Sequence, residues 1–233
     1  MRRISLINES TVLADDDVRR LMKALDRQWN VHLRQIWGVE EARFTFVARH
    51  RRPHPHSWWI VFLDDTDQAG DLGYHDLTRH GGPVGKIFVK TVLRQKSEVS
   101  LAASHEMCEM AVDPWLNTGY QDHKGVFWAG EICDPVEGRE YAYRIGGVVV
   151  SDFVTPDWFG LQLGDGQVDF KGHARKPFEV LSGGYAQKYS ARKGWVQVTG
   201  SVAKRRKRAM EPAHGSRRER RVRKATSALR HSK

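Results

Sequence analysis

The residues best suited to chemistry stand together in Ser104-His105-Glu106-Met107-Cys108-Glu109-Met110. If this stretch is helical, His105 and Glu109 face the same way, about 6 Å apart along the axis. An imidazole and a carboxylate at that separation can share one metal ion. Glu106 lies one residue on, rotated by about 100°. From there it can reach a water beside such an ion without being a ligand, as the general base of a hydrolysis does. The pattern is that of a His-Glu-x-x-His zinc helix with Glu in place of the second His. One imidazole with several carboxylates suits Zn²⁺ less selectively than two imidazoles do, so Mn²⁺, Fe²⁺ and Ca²⁺ are also candidates.

A third ligand has to come from elsewhere. Asp113 lies on the same stripe, but in a straight helix its Cα is about 12 Å from that of His105. A break before Pro114 would bring it in. Glu131 and Asp134, within Gly130-Glu131-Ile132-Cys133-Asp134, come from a loop whose geometry is open. Asp113 and Glu131 rank level, Asp134 slightly behind, and His123 last. His75 and His80, in a Gly-rich loop, rank as minor candidates. A short His-Glu-x-x-Glu match is a weak signal alone, because solvated helices are rich in Glu. Here Ala102, Ala103, Met107, Met110 and Ala111 flank it, and carboxylates on a partly apolar helix need a partner or a metal. Cys108 reads as core, and His50, His54 and His56 as a solvated loop.

The elements that must position these residues are legible in part. Arg3 to Ile7 reads as a strand. Asp15, Asp16 and Asp17 open a helix whose positive end they suit. Val18, Leu21, Met22, Leu25, Trp29, Leu33, Ile36 and Trp37 give it an apolar stripe of about five turns, and Gly38 ends it. Strands are expected over residues 42–48, 58–63 and 86–92. The second is continuously apolar, as a central strand is. The third, alternating with Lys, suits an edge. A loop over residues 64–83 precedes it. A second helix, residues 98–112, carries the motif and stops at Pro114. Tyr141–Ile145 and Val148–Phe153 flank Gly146-Gly147 as a hairpin. Residues 156–200 read as loops and turns. The expected class is α+β: a twisted mixed sheet with two packed helices, followed by a loop- and hairpin-rich part.

These features resemble the zincin metallopeptidases, and most closely a metzincin-like N-terminal subdomain, over roughly residues 3–115. More narrowly, His105-Glu106-x-x-Glu109-x-x-x-Asp113-Pro114 with the later Gly130-Glu131-Ile132-x-Asp134 is similar to a group of bacterial and phage proteins with a variant His-Glu-x-x-Glu helix. Gly73-Tyr74-His75 and Gly183-Gly184-Tyr185 share in that likeness. Two departures stand out: there is no His-x-x-Gly-x-x-His continuation and no second His. The resemblance implies a zincin-like domain over residues 1–200 (sheet and helices to 115, loop-rich beyond) and a zinc-dependent peptidase. Its substrate would be an extended peptide or protein segment paired along the edge strand, with Lys86, Phe88 and Lys90 as substrate-binding residues. The alternative is a non-enzymatic phage structural or accessory protein that keeps the fold.

Charge is unevenly placed. The chain has a formal net charge of +10, but residues 201–233 hold thirteen Lys or Arg against two Glu, which leaves residues 1–200 close to neutral. A basic overall balance therefore says nothing about nucleic-acid binding by the folded part. The last segment reads as a disordered basic tail. Lys204, Arg205, Arg206, Lys207, Arg208, Arg217, Arg218, Arg220 and Arg221 would meet DNA or RNA phosphates or an acidic protein surface. Two cysteines are too few for a disulfide scaffold or a thiolate zinc site. The first residues carry no apolar run of the kind a signal peptide has, and no window suits a membrane span. A cytoplasmic or virion-associated location is the expectation.

Overall fold

The computed structural model describes residues 1–66 and 72–201. Sheet, helix and loop alternate as an α+β fold. Strand β1 (Arg2–Asn8) leads into helix α1 (Asp15–Arg27), a π-helical segment (Gln28–Leu33) and the short α2 (Arg34–Trp37). Strands β2 (Ala42–Val47), β3 (Trp58–Leu63), β4 (Gly73–Leu77) and β5 (Pro83–Phe88) follow, then α3 (Val89–Arg94) and α4 (Val99–Val112). These five strands form one sheet in the order β2-β1-β3-β5-β4. β1, β2, β3 and β5 run parallel, and β4 runs antiparallel to β5 along one edge.

The long first helix forms where its apolar stripe requires, with Val18, Leu21, Leu25, Trp29 and Leu33 buried. It is not uniform. The turn opens to π-helix from Gln28 on, and buried Gln28 spends its side chain on Ser104, Ser151 and Tyr143. Gly38 ends the helix at φ 63, a left-handed conformation that costs glycine little.

Three expectations fail on the sheet and beyond it. Residues 86–92 are not an edge strand: β5 lies between β3 and β4, and Val89 onward is helix. Part of the expected loop over residues 64–83 is itself the edge strand, β4. Residues 156–200 are not only loops, because β10 (Tyr185–Ser190) and β11 (Gly194–Thr199) pair antiparallel. With β6 (Gly119–Gln121) and β7 (Phe127–Ala129) they make a second sheet, β11-β10-β7-β6. In each case pairing partners distant in sequence decided the outcome, and local pattern does not show them. The Gly146-Gly147 hairpin forms as expected between β8 (Tyr143–Ile145) and β9 (Val148–Val150), both glycines at positive φ. The tail residues 202–233 lie outside the described residues.

Helix α4 occupies the middle of the molecule. Residues Ala102 to Met110 are buried without a break, so the helix has no solvent face over two and a half turns. The sheet covers one side, and β9 with the segment after it covers another. Gly85 and Gly73 permit the first approach: a Cβ on Gly85 would meet Glu106 Cβ at 3.4 Å, and one on Gly73 would lie 3.2 Å from Glu106 Cγ and 2.8 Å from the Lys86 carbonyl oxygen. A single apolar core joins Ile4, Ile60 and Phe62 of the sheet to Met107 and Met110 of α4 and to Phe153, Trp158 and Phe159 beyond it.

Candidate metal centre

A helix buried on all sides carries polar side chains only where other elements meet them. Ser104 accepts the Ser151 N–H at 2.8 Å and donates to Gln28 Oε1 at 2.7 Å, which ties α4 to the π-helical turn and to the end of β9. One residue on, His105 points to the other side. Its Nε2 lies 3.1 Å from Glu109 Oε1 and 3.2 Å from Asp134 Oδ1. The ring is 11% exposed, and both carboxylates are fully buried. Four ligands about 2.0–2.1 Å from one zinc ion lie about 3.3 Å from one another. The two spacings from His105 are close to that value, and the three donor atoms lie within 4.8 Å of one another, so this imidazole and its two carboxylates could hold a metal ion.

A second imidazole enters from the sheet. His75, on edge strand β4, is fully buried against α4. Its Nδ1 is 3.5 Å from Glu109 Oε2 and 3.6 Å from Glu106 Oε2, and its Nε2 is 3.8 Å from Glu131 Oε2. Glu109 thus turns one oxygen toward His105 and the other toward His75. The His75 contacts are longer and divided between both ring nitrogens, so they describe an ion-pair cage better than a second tight ligand set. Burial would pull the His75 pKa down, but the Glu131 charge and the Glu106 and Glu109 carboxylates outweigh it and raise it to about 10. For His105, burial is again opposed by Glu109 and Asp134, which hold the imidazole well above its ordinary range.

Glu131 and Asp134 reach the site from the turn after β7. Backbone bonds hold that turn on both sides: Val154 N–H to the Ile132 carbonyl at 2.8 Å, and Leu181 N–H to the Pro135 carbonyl at 2.9 Å. Cys133, between the two acids, is buried with its thiol against Cys108 of α4, and burial pushes its pKa well up. Gly184 backs the turn so closely that an added Cβ would lie 2.6 Å from the Pro135 carbonyl oxygen and 2.8 Å from that of Asp134. Both are backbone atoms that cannot swing aside. Gly184→Ala is expected to cost about 1–3 kcal/mol from overpacking. At about 2–4 °C per kcal/mol for a chain of this size, a thermal melt of the variant should fall by several degrees. An unchanged melting temperature would show that the turn is slack.

The remaining expectations divide. Glu106 lies beside the triad on the next face of α4, as the helical spacing requires. Asp113 is not drawn in: its Oδ1 accepts the Asn117 and Thr118 N–H groups at 2.8 and 2.9 Å. It caps the turn that Pro114 starts. His123 and His80 are exposed. Lys86 donates to Tyr74 at 2.8 Å, Phe88 is buried, and Lys90 pairs with Asp64 and Asp65 from α3. None of these three lies on a sheet edge, so the substrate-binding assignment loses its basis. His75, ranked low, is the residue that sequence reasoning underweighted. Its one signal was a histidine in the Gly73-Tyr74-His75 segment, with nothing local to say that this segment pairs with β5.

No family model matches the chain, and no curated protein or solved structure matches it. What the fold and site define is an α+β protein with two imidazoles and four carboxylates gathered around one buried helix. Among the described residues no helix is long and apolar enough to cross a membrane.

Proposed function

We propose that the protein is a metal-dependent peptidase of zincin-like architecture. The observation that carries the reading is the His105–Glu109–Asp134 triad, with both carboxylates 3.1–3.2 Å from the imidazole, and Glu106 next to it on the same helix. His105, Glu109 and Asp134 would hold the ion, Zn²⁺ by preference. Bound there, a dication would polarise a peptide carbonyl and acidify a water molecule.

The chain's own residues would do the rest. Glu106 takes a proton from the attacking water and returns it to the leaving amine, the work of a positioned carboxylate. His75, 3.6 Å from Glu106, orients that carboxylate and holds Glu109 in place through its second oxygen. The edge strand that offers unpaired backbone groups to an extended peptide is β4, not β5. Since His75 lies on β4, a peptide paired there would run alongside the cluster.

The experiment is a calorimetric titration of chelator-stripped protein with Zn²⁺, with cleavage of an unfolded protein substrate followed in parallel. Wild type should bind zinc and cleave only when loaded. His105→Ala should lose the zinc equivalent held by this triad and show no cleavage. An unchanged zinc stoichiometry in His105→Ala sinks the site assignment. Zinc bound at this site without hydrolysis of any unfolded substrate favours a structural role and sinks the peptidase reading.

A further inference from the structure

Away from α4, two more carboxyl groups are buried side by side. Asp152 follows β9 by two residues, and Asp169 lies on a separate loop, bridged to the chain at Val154. Both are essentially unexposed. Their carboxyl groups lie against each other, and His173 closes the cluster from outside. His173 Nδ1 is 3.2 Å from Asp152 Oδ2 and 3.6 Å from Asp169 Oδ2. The ring is 35% exposed and stands edge-on to Tyr141 at 5.3 Å.

Most of the oxygens are accounted for. Asp152 Oδ1 accepts the Phe153 N–H at 2.8 Å. Asp169 Oδ2 accepts the His173 and Ala174 N–H groups at 2.9 and 3.3 Å. Asp169 Oδ1 has no hydrogen-bond partner, although the residue is fully buried. A buried carboxylate oxygen without a donor is costly, and two adjacent carboxylates more so. The surroundings offer little relief: Phe153 and Phe170 stack at 5.1 Å, and the Lys171 amine lies over the Tyr143 and Phe170 rings at 5.5 and 5.7 Å. The pair therefore needs either a retained proton or a dication.

We infer that Asp152, Asp169 and His173 form a second, structural cation site for a zinc-class dication. The donor atoms of all three lie within 4.8 Å of one another. The 3.2 and 3.6 Å spacings bracket the roughly 3.3 Å between ligands of a tetrahedral zinc ion. The imidazole favours zinc over calcium or magnesium, which take oxygen donors. An open fourth position would face solvent on the His173 side. The site joins two segments that also meet through the Val154–Asp169 bridge, two backbone hydrogen bonds and the Phe153–Phe170 stack: residues 151–155, whose Val154 also holds Ile132 beside the first site, and residues 168–174. Its role is to clasp the loop-rich part onto the segment that backs α4.

The test counts metal on the full-length protein. Chelator-stripped wild type is titrated with Zn²⁺, and bound metal is measured after gel filtration. His105→Ala, Asp169→Asn, His173→Ala and the His105→Ala/Asp169→Asn double variant are treated alike. Wild type should hold two equivalents, Asp169→Asn and His173→Ala one each, and the double variant none. The equivalent that survives His105→Ala is the one assigned here, so failure of the first site leaves this one measurable. Zinc should also raise the melting temperature of His105→Ala but not of the double variant. His173 is partly exposed, so His173→Ala keeps the test open if Asp169→Asn folds poorly. The inference is overturned if both Asp169→Asn and His173→Ala retain the wild-type zinc count. It is also overturned if His105→Ala binds no zinc, in which case the two aspartates share a proton.

Discussion

Glu106→Gln is expected to lower peptide hydrolysis by about 10²–10⁴-fold, the usual contribution of a general base, while zinc affinity stays within a few-fold of wild type. The two outcomes separate because of where the side chain stands. Glu106 faces His75 at 3.6 Å and is not part of the His105–Glu109–Asp134 triad. Glutamine has the same shape, so packing against Gly73 and Gly85 is kept. What is lost is one basic oxygen. Steady-state cleavage of an unfolded substrate and zinc calorimetry on the same preparation decide the matter. Activity within a few-fold of wild type would mean that another group takes the proton. A parallel loss of zinc would mean that Glu106 is a ligand.

The metal-free protein should lose stability steeply as pH rises from about 6.5 to 10. The cause is His75. Its ordinary value is 6.5 and its value in the fold is about 10, because three carboxylates face a buried ring. A group whose pKa is raised by folding stabilises the fold fully below its unfolded value, and that contribution drains as pH climbs to the folded one. Each unit is about 1.4 kcal/mol, so the loss is on the order of several kcal/mol over the window. Asp152, also raised, acts in the same direction between its ordinary 3.8 and about 9. A control is therefore needed. Urea unfolding in the presence of chelator at pH 6 and pH 9.5 should give a large drop for wild type and a much shallower one for His75→Gln. Equal slopes in the two proteins would show that the His75 cage does not carry a charge.

The sequence by itself determined the local half of this protein. The spacing of His105, Glu106 and Glu109 on a helix follows from 3.6 residues per turn and needs no partner to be read. The apolar stripe from Val18 to Leu33, the Gly38 stop and the Gly146-Gly147 turn were legible for the same reason: each is decided within a few residues of itself. That Glu131 and Asp134 were candidates was legible only because they fall in a loop whose geometry the sequence leaves open, within the Gly130-Glu131-Ile132-x-Asp134 stretch that carries the resemblance.

Only the tertiary structure decided which of them meet. Asp134 joins His105 and Glu109 because Val154 and Leu181 hold its turn and Gly184 lets the backbones close. Asp113 drops out because two backbone N–H groups of the following turn claim it. His75 enters because β4 folds back along β5, a pairing that depends on sheet register and not on the residues flanking the histidine. The edge moved from β5 to β4 for that reason too. Asp152, Asp169 and His173 came from a region whose short strands and loops have no sustained period, so nothing in their spacing announced that two of them would be buried together. Local geometry is dictated by bonds along the chain. A polar cluster inside a fold is dictated by which distant segments exclude water from one another, and that is settled only when the sheet and its covering loops close around α4.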